Sequence, residues 1–322
     1  MLKVFRPEVF QGNLRKKGYF EGWYFKHVSA DLSRVLAFIP GVSLSGEDPH
    51  AFIQVIDGVS GETWYSRFPL QDFHWTREPF SVTLGENRFS LQGSSVHLRQ
   101  EDLTLDAEIT YDAASPFPRS LRWPGIMGPY SFVPFMECNH GVVSMDHRVS
   151  GKVELNDRPV NFAGGRGYIE KDWGSSFPEA WIWLQCNNFE NSPGTSFMLS
   201  LAKIPWLGKS FLGFLSFLYY QGRVYRFATY NGSRYSDVRF DGLNLELTLS
   251  GGDGNLEVRA LMSRAGELKA PSRGSMARRI KESIDSEVTL RFSATKEKEV
   301  FLGPGRRAGL EIIDPIVEML KR

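Results

Sequence analysis

The sequence has little cysteine, no excess of charge of either sign and no long apolar run. Its 2 cysteines, Cys138 and Cys186, are too few for a disulfide scaffold. A single bridge between them or two buried thiols both fit, the thiols being the commoner outcome. Lys and Arg number 38 against 37 Asp and Glu, a net charge of +1. That balance argues against nucleic acid as a partner, which calls for a basic face or stripe. It also excludes an acidic disordered chain. The most apolar region, residues 204–220, is broken by Pro205 and Lys209. Its unbroken part, residues 211–220, is too short to cross a bilayer. It reads as a buried strand or hairpin, or as an apolar lip that touches membrane or passes an apolar substrate. The opening residues show no apolar signal-peptide stretch and no small-residue cleavage site. A cytoplasmic location is therefore expected, with peripheral membrane contact through residues 211–220. No G-x-S-x-G, no P-loop and no nucleotide-binding βαβ unit is present, so no cofactor is expected.

What is present favours strands. The chain of 322 residues is long enough for two domains. Hydrophobic residues make up 42%, enough for a sizeable core, and aromatics 13%; aromatics favour strands and line apolar pockets. Leu103-Thr104-Leu105-Asp106-Ala107-Glu108-Ile109-Thr110-Tyr111 alternates apolar and polar, as do residues 243–249, 256–261 and 288–292. Turn residues separate these runs: Asp57-Gly58, Gly85-Glu86-Asn87, Asn231-Gly232 and Gly251-Gly252-Asp253-Gly254. Short strands divided by turns imply an antiparallel sandwich or barrel. Helix signals are confined to residues 275–283 and to the segment after Asp314-Pro315. Glu21-Gly22-Trp23-Tyr24-Phe25 is echoed by Glu179-Ala180-Trp181-Ile182-Trp183. The echo predicts two similar barrels, residues 1–150 and 151–322, each opened by a Trp-bearing strand. The boundary is expected in the hydrophilic stretch 146–158, within about 15 residues.

Three constellations carry chemistry. In Tyr168-Ile169-Glu170-Lys171-Asp172-Trp173, a strand places Glu170 and Asp172 on one face. Turned into a barrel, the two carboxyls share an aromatic cavity, where burial and like charge raise at least one pKa and make an acid. A solvated edge or a structural ion pair explains the same residues, and is the commoner case on spacing alone. In Phe135-Met136-Glu137-Cys138-Asn139-His140-Gly141, Glu137 and His140 are acid or base candidates, or members of a loop with a satisfied histidine. C-x-H and H-x6-H spacings among Cys138, His140 and His147 do not match zinc sites, so no metal is expected. In the first constellation along the chain, Trp23 reads as a plug for one barrel end. Asn187 reads as a turn or as a polar pocket group. Gly164-Gly165-Arg166-Gly167 precedes a β segment, so it reads as a tight turn, not a phosphate cradle.

Phe20-Glu21-Gly22-Trp23-Tyr24-Phe25, Met136-Glu137-Cys138-Asn139-His140-Gly141 and the block from Glu170-Lys171-Asp172-Trp173-Gly174 to Gln185 together resemble the tocopherol cyclase family. The segments around Ala270 and Ala308-Gly309-Leu310-Glu311-Ile312 look like its C-terminal region. The family is related to carotenoid 1,2-hydratases and to paired lipocalin-like barrel proteins. The resemblance implies an all-β chain of two antiparallel, calycin-type barrels with few short helices and a ligand site in or between them. It further implies a cofactor-independent isomerase. Such an enzyme protonates an alkene of a prenylated hydroquinone or other isoprenoid, and a phenol oxygen then captures the tertiary cation. That chemistry needs a raised-pKa acid, a dry pocket and aromatic faces. Asp172 and Glu170 are the expected acids, Glu137 or His140 the partner. Trp23, Tyr24, Trp173, Trp181 and Trp183 are the expected walls, with Asn187 as a polar contact. A non-catalytic carrier of an apolar ligand and an isoprenoid hydratase are the alternatives. The start has no plastid-type leader, so a bacterial-type member is expected.

Overall fold

The computed structural model describes residues 2–134, 136–206, 208–295 and 300–320. Phe135 and Leu207, which fall within segments singled out above, lie outside the described residues, as does Lys321 beyond the last helix.

The fold is nearly all β. The first sheet holds β1 (Tyr19–Val28), β2 (Val35–Leu44), β3 (His50–Asp57), β4 (Thr63–Phe68), β5 (Phe73–Arg77), β6 (Phe80–Leu84), β7 (Asn87–Ser90), β8 (Gly93–Arg99), β9 (Thr104–Asp112), β10 (Cys138–Leu155), β11 (Arg158–Asn161) and β12 (Gly165–Gly174). The second holds β13 (Trp181–Cys186), β14 (Ser196–Trp206), β15 (Lys209–Tyr220), β16 (Arg223–Ala228), β17 (Arg234–Phe240), β18 (Asn244–Gly251), β19 (Gly254–Leu261), β20 (Gly266–Ser272), β21 (Ser275–Ala294) and β22 (Val300–Ile313). A helix, α1 (Ile316–Leu320), follows. The alternating runs noted above are β9, β18, β19 and the distal part of β21, and the glycine-rich breaks fall between strands.

Strand order shows that the sequence echo is a repeat of topology. The first sheet runs β4-β3-β2-β1-β12-β10-β9-β8-β7-β6-β5, and the second β16-β15-β14-β13-β22-β21-β19-β18-β17. In each, the opening Trp-bearing strand pairs with the hairpin after it and with the last strand of its half. Each sheet rolls around its own core. Trp23, Phe25, Trp64, Phe73 and Phe89 belong to the first; Ile182, Leu184, Phe227, Leu249 and Phe292 belong to the second. Neither sheet is sealed into a barrel. The end strands β4 and β5 face a common core without a ladder, as do β16 and β17. Single 3-10 turns, Leu70–Asp72 and Thr229–Asn231, link these ends and turn the chain aside before it can pair.

Two further expectations are corrected. Residues 146–158 are not a linker: most of them belong to β10, and β12 returns to the first sheet beside β1 and β10. The chain passes between sheets after Gly174 and before Trp181. Residues 275–283 are not helical but open β21, where Met276, Ile280 and Glu282 share one buried face at even spacing, and Ile280 and Glu282 pair with Leu268 and Gly266 of β20. Ladder pairing and burial there override helix propensity. Residues 204–220 form the β14–β15 hairpin, the expected buried form. Phe214, Phe217 and Leu218 are buried, so an apolar lip is limited to the hairpin tip, with Trp206 44% exposed and Phe211 partly so. No helix among the described residues is long and apolar enough to cross a membrane.

Candidate active site

The two rolled sheets meet back to back. Alternation decides what each strand brings to the seam. Along β12, Ile169 and Trp173 turn into the first core, and Lys171 lies against the rings of Trp23 and Trp173. Tyr168, Glu170 and Asp172 turn the other way, towards the second sheet. Along β1, Trp23 and Phe25 point inward while Tyr24 points to the seam. Along β13, Ile182 and Leu184 point inward while Trp181 and Trp183 point to the seam. Between the sheets lies a cavity of about 450 Å³. Tyr24, Phe177, Trp181 and Trp183 wall it, and Met127, Tyr130 and Met136 of the 113–137 segment cover it. The Tyr230 hydroxyl donates to the Ile126 carbonyl at 2.7 Å and holds that cover in place.

Strand register assembles one polar cluster. His140 on β10, Asp172 on β12 and Gly22 on β1 form one cross-strand row; Val142, Glu170 and Tyr24 form the next. His140 Nδ1 lies 2.9 Å from Asp172 Oδ1, and Nε2 lies 3.4 Å from Glu170 Oε2. The Tyr168 hydroxyl donates to Glu170 Oε2 at 2.7 Å. Burial by itself would lower the imidazole pKa, but the charges of Asp172 and Glu170 outweigh it and hold His140 well above its usual value. His140 Nε2 is buried without a hydrogen-bond partner. Gly22 keeps the wall open beside Asp172: an added Cβ would meet nothing closer than 3.8 Å.

A second cluster was not read from the sequence. Glu282 on β21 and Glu311 on β22 both line the cavity, one step along the ladder from the Ser283–Leu310 pair. Tyr24 donates its hydroxyl to Glu282 Oε1 at 2.8 Å, and Trp181 donates its indole N–H to Glu311 Oε2. Burial raises both carboxyls; the Glu282 charge adds to this at Glu311. Gly309 is required here: a Cβ would lie 2.5 Å from the Trp183 ring, which packs flat on β22. Glu311 stands between Leu310 and Ile312 in an otherwise apolar run, the one local sign of an inward-facing acid. Glu282 lay in the segment expected to be helical, which hid its direction.

The expected residues divide clearly. Glu170, Asp172, His140, Tyr24, Trp181 and Trp183 line the cavity. Trp23 does not; it fills the first core and donates its N–H to the Glu8 carbonyl at 2.7 Å. Trp173 packs on the same core. Glu137 is outside the lining residues, though its backbone carbonyl receives the Ser175 and Ser176 amides. Asn187 is a buried tie, donating to Asp146 Oδ1 at 3.0 Å and to the Gly167 carbonyl at 2.9 Å. The carboxylates thus face a space between the sheets, not the inside of a barrel, because both interiors are already filled with side chains. Cys138 and Cys186 are free thiols.

His140, Glu170 and Asp172 also place potential metal-ligand atoms within 4.8 Å of one another. Each residue offers one such atom, and each imidazole nitrogen also faces a carboxylate.

Two rolled antiparallel sheets flanking an acid-bearing cavity define a lipocalin-like fold. Residues 117–313 match the tocopherol cyclase-like family model, and the chain belongs to that family. It is 31% identical over 116 residues to a chloroplastic tocopherol cyclase of Zea mays, covering 34% of this chain and 24% of that one. It is 30% identical over 149 residues to a probable chloroplastic tocopherol cyclase of Oryza sativa subsp. japonica, covering 43% and 30%. The matches therefore span less than a third of either relative. Among solved structures, CghA with Sch210972 aligns with a TM-score of 0.57 at 11% identity, covering 92% of this chain and 88% of that one. Kievitone hydratase from Nectria haematococca aligns with a TM-score of 0.52 at 10% identity, covering 95% and 94%. Those two likenesses establish the fold alone.

Proposed function

We propose that the chain is a proton-transfer enzyme of the cyclase type, acting on a prenylated hydroquinone or a related isoprenoid. The observation that carries this reading is the cavity itself: apolar and aromatic over most of its wall, with buried proton-carrying groups gathered on the rest. A proton goes to the less substituted alkene carbon and leaves a tertiary cation. The phenol oxygen forms the new C–O bond, and its proton passes to a base on the wall. Protons balance, and the product is an isomer of the substrate. Aromatic faces of Tyr24, Trp181 and Trp183 suit the cation, and exclusion of water strengthens every charge interaction inside. Asp172 or Glu170, the carboxylates that flank the charged His140 ring, takes the phenol proton.

The test is incubation with a prenylated hydroquinone, followed by mass spectrometry. A cyclised product of unchanged mass supports the reading. Gain of one water makes the protein a hydratase, and intact ligand that co-purifies and is never turned over makes it a carrier. Undiminished turnover in both Asp172→Asn and Glu170→Gln would remove these residues from the mechanism. We also propose that substrate is collected from a lipid surface past the hairpin tip, where Trp206 and Phe211 border the cavity. Trp206→Asp then weakens liposome binding; equal binding by variant and wild type would refute it.

A further inference from the structure

Resting on the cyclase reading, we propose that Glu311 is the acid that protonates the alkene and that Glu282 is the carboxylate that shares its proton. Three observations lead there. The two side chains sit on neighbouring strands, one step along the ladder from the Ser283–Leu310 pair, and face the cavity. No lysine or arginine forms an ion pair with either one among the described residues. Each also receives one hydrogen bond from the wall: Glu282 the Tyr24 hydroxyl at 2.8 Å, and Glu311 the indole N–H of Trp181.

Two adjacent buried carboxyls without a counter-ion cannot both be charged, so the pair holds one proton. Glu282 receives the Tyr24 hydroxyl, as an anion does. Glu311 keeps the proton, as a neutral acid does. Burial and the facing charges of Glu282 and Asp172 act in the same direction at Glu311. Glu170 and the charged His140 face the pair across the cavity, Arg278 lies over the Trp181 ring, and Lys26 on β1 donates to Gln185 Oε1 at 2.9 Å.

Transfer of the Glu311 proton to carbon breaks its O–H bond and forms a C–H bond. Both carboxyls are then anionic, and the new tertiary cation lies beside them. In a dry cavity that juxtaposition stabilises the cation strongly. The cluster of His140, Asp172 and Glu170 is left for the opposite task, receiving the phenol proton when the C–O bond closes. Tyr24 connects the two sites, being hydrogen-bonded to Glu282 and paired in register with Glu170. It offers the route by which the proton returns to Glu311 between turnovers. The cavity thus has an acid side on the second sheet and a base side on the first.

The experiment compares wild type, Glu311→Gln, Glu282→Gln and Glu311→Asp with a prenylated hydroquinone in D2O. It reads kcat, deuterium incorporated at the alkene carbon, and ligand affinity from tryptophan quenching. Glu311→Gln is expected to lose about 10²–10⁴-fold in kcat, the usual contribution of a general acid, while affinity stays within about threefold. Glu311→Asp should keep part of the rate. An active wild type together with an equally active Glu311→Gln overturns the assignment and leaves the cyclase reading standing. An inactive wild type that binds the ligand overturns the cyclase reading and the donor role together. Infrared spectroscopy reads the shared proton without turnover. A protonated-carboxyl carbonyl band present in wild type and lost in Glu311→Gln supports the pair; absence of that band in wild type overturns it.

Discussion

Replacing Asp172 by Asn should lower the pKa of His140 and change the charge of the cavity wall at neutral pH. The substitution keeps shape and a hydrogen-bond acceptor but removes one of the two charges facing the ring. Asp172 Oδ1 lies 2.9 Å from Nδ1. At such separations an ion pair is worth about 4 kcal/mol at an effective dielectric constant near 20. Burial opposes that attraction, so the net fall is smaller than the lost attraction alone would give. The assay is a proton NMR titration of the His140 ring, assigned with His140→Gln. In wild type the ring stays charged through neutrality; in Asp172→Asn it titrates lower. Stability should follow the same linkage. The folded pKa of His140 lies above the unfolded value, so its stabilisation is complete below about pH 6.5 and is lost as pH rises through the folded pKa. In the variant that loss moves to lower pH. An unchanged His140 titration in Asp172→Asn would refute the reasoning, because the raised pKa would then have another source.

The buried ion pair of Lys171 and Glu21 should behave non-additively. Lys171→Met leaves Glu21 with the amides of Gln11 and Gly12 and the Tyr19 hydroxyl, and should cost about 3–5 kcal/mol in urea unfolding. Glu21→Gln added to it should recover much of this, and a single-variant cost below about 1 kcal/mol would contradict the account. Gly22→Val should fill space beside Asp172 at little structural cost, since the nearest atom to an added Cβ is 3.8 Å away. Ligand affinity should fall at least about tenfold with stability changed by less than about 1 kcal/mol, and unchanged affinity would place the ligand elsewhere. His27 and His147 are both pushed down to about 3, chiefly by burial. Their contribution is complete above the unfolded pKa and is lost as pH falls from about 6.5 towards 3, on the order of 3 kcal/mol each by pH 4. Acid unfolding followed by circular dichroism should be blunted in a His27→Gln/His147→Gln variant; an identical acid midpoint would count against it.

Much of the architecture lay open in the sequence because it depends on local alternation. The run 103–111 is a strand for the same reason that Glu170 and Asp172 share a face: side chains alternate at a period of two residues. The echo around Trp23 and Trp181 gave the duplication, and the motif around Glu170 gave one half of the site. The facing of the echoed tryptophans was not legible. Trp23 points into its own core while Trp181 points out of its own, although their neighbours look alike. A shift of one residue exchanges the faces of a strand, and only pairing with the surrounding strands fixes which face is buried where.

Composition and periodicity by themselves determined that this chain forms antiparallel sheets with apolar cores, and that its charge is balanced. Tertiary structure decided that the cores fill the interiors of the sheets and leave the cavity in the seam between them. It also decided that Glu282 and Glu311, on strands from a region where one segment looked helical, stand together opposite His140. Such meetings depend on register between strands far apart in the chain, and no local pattern encodes that register.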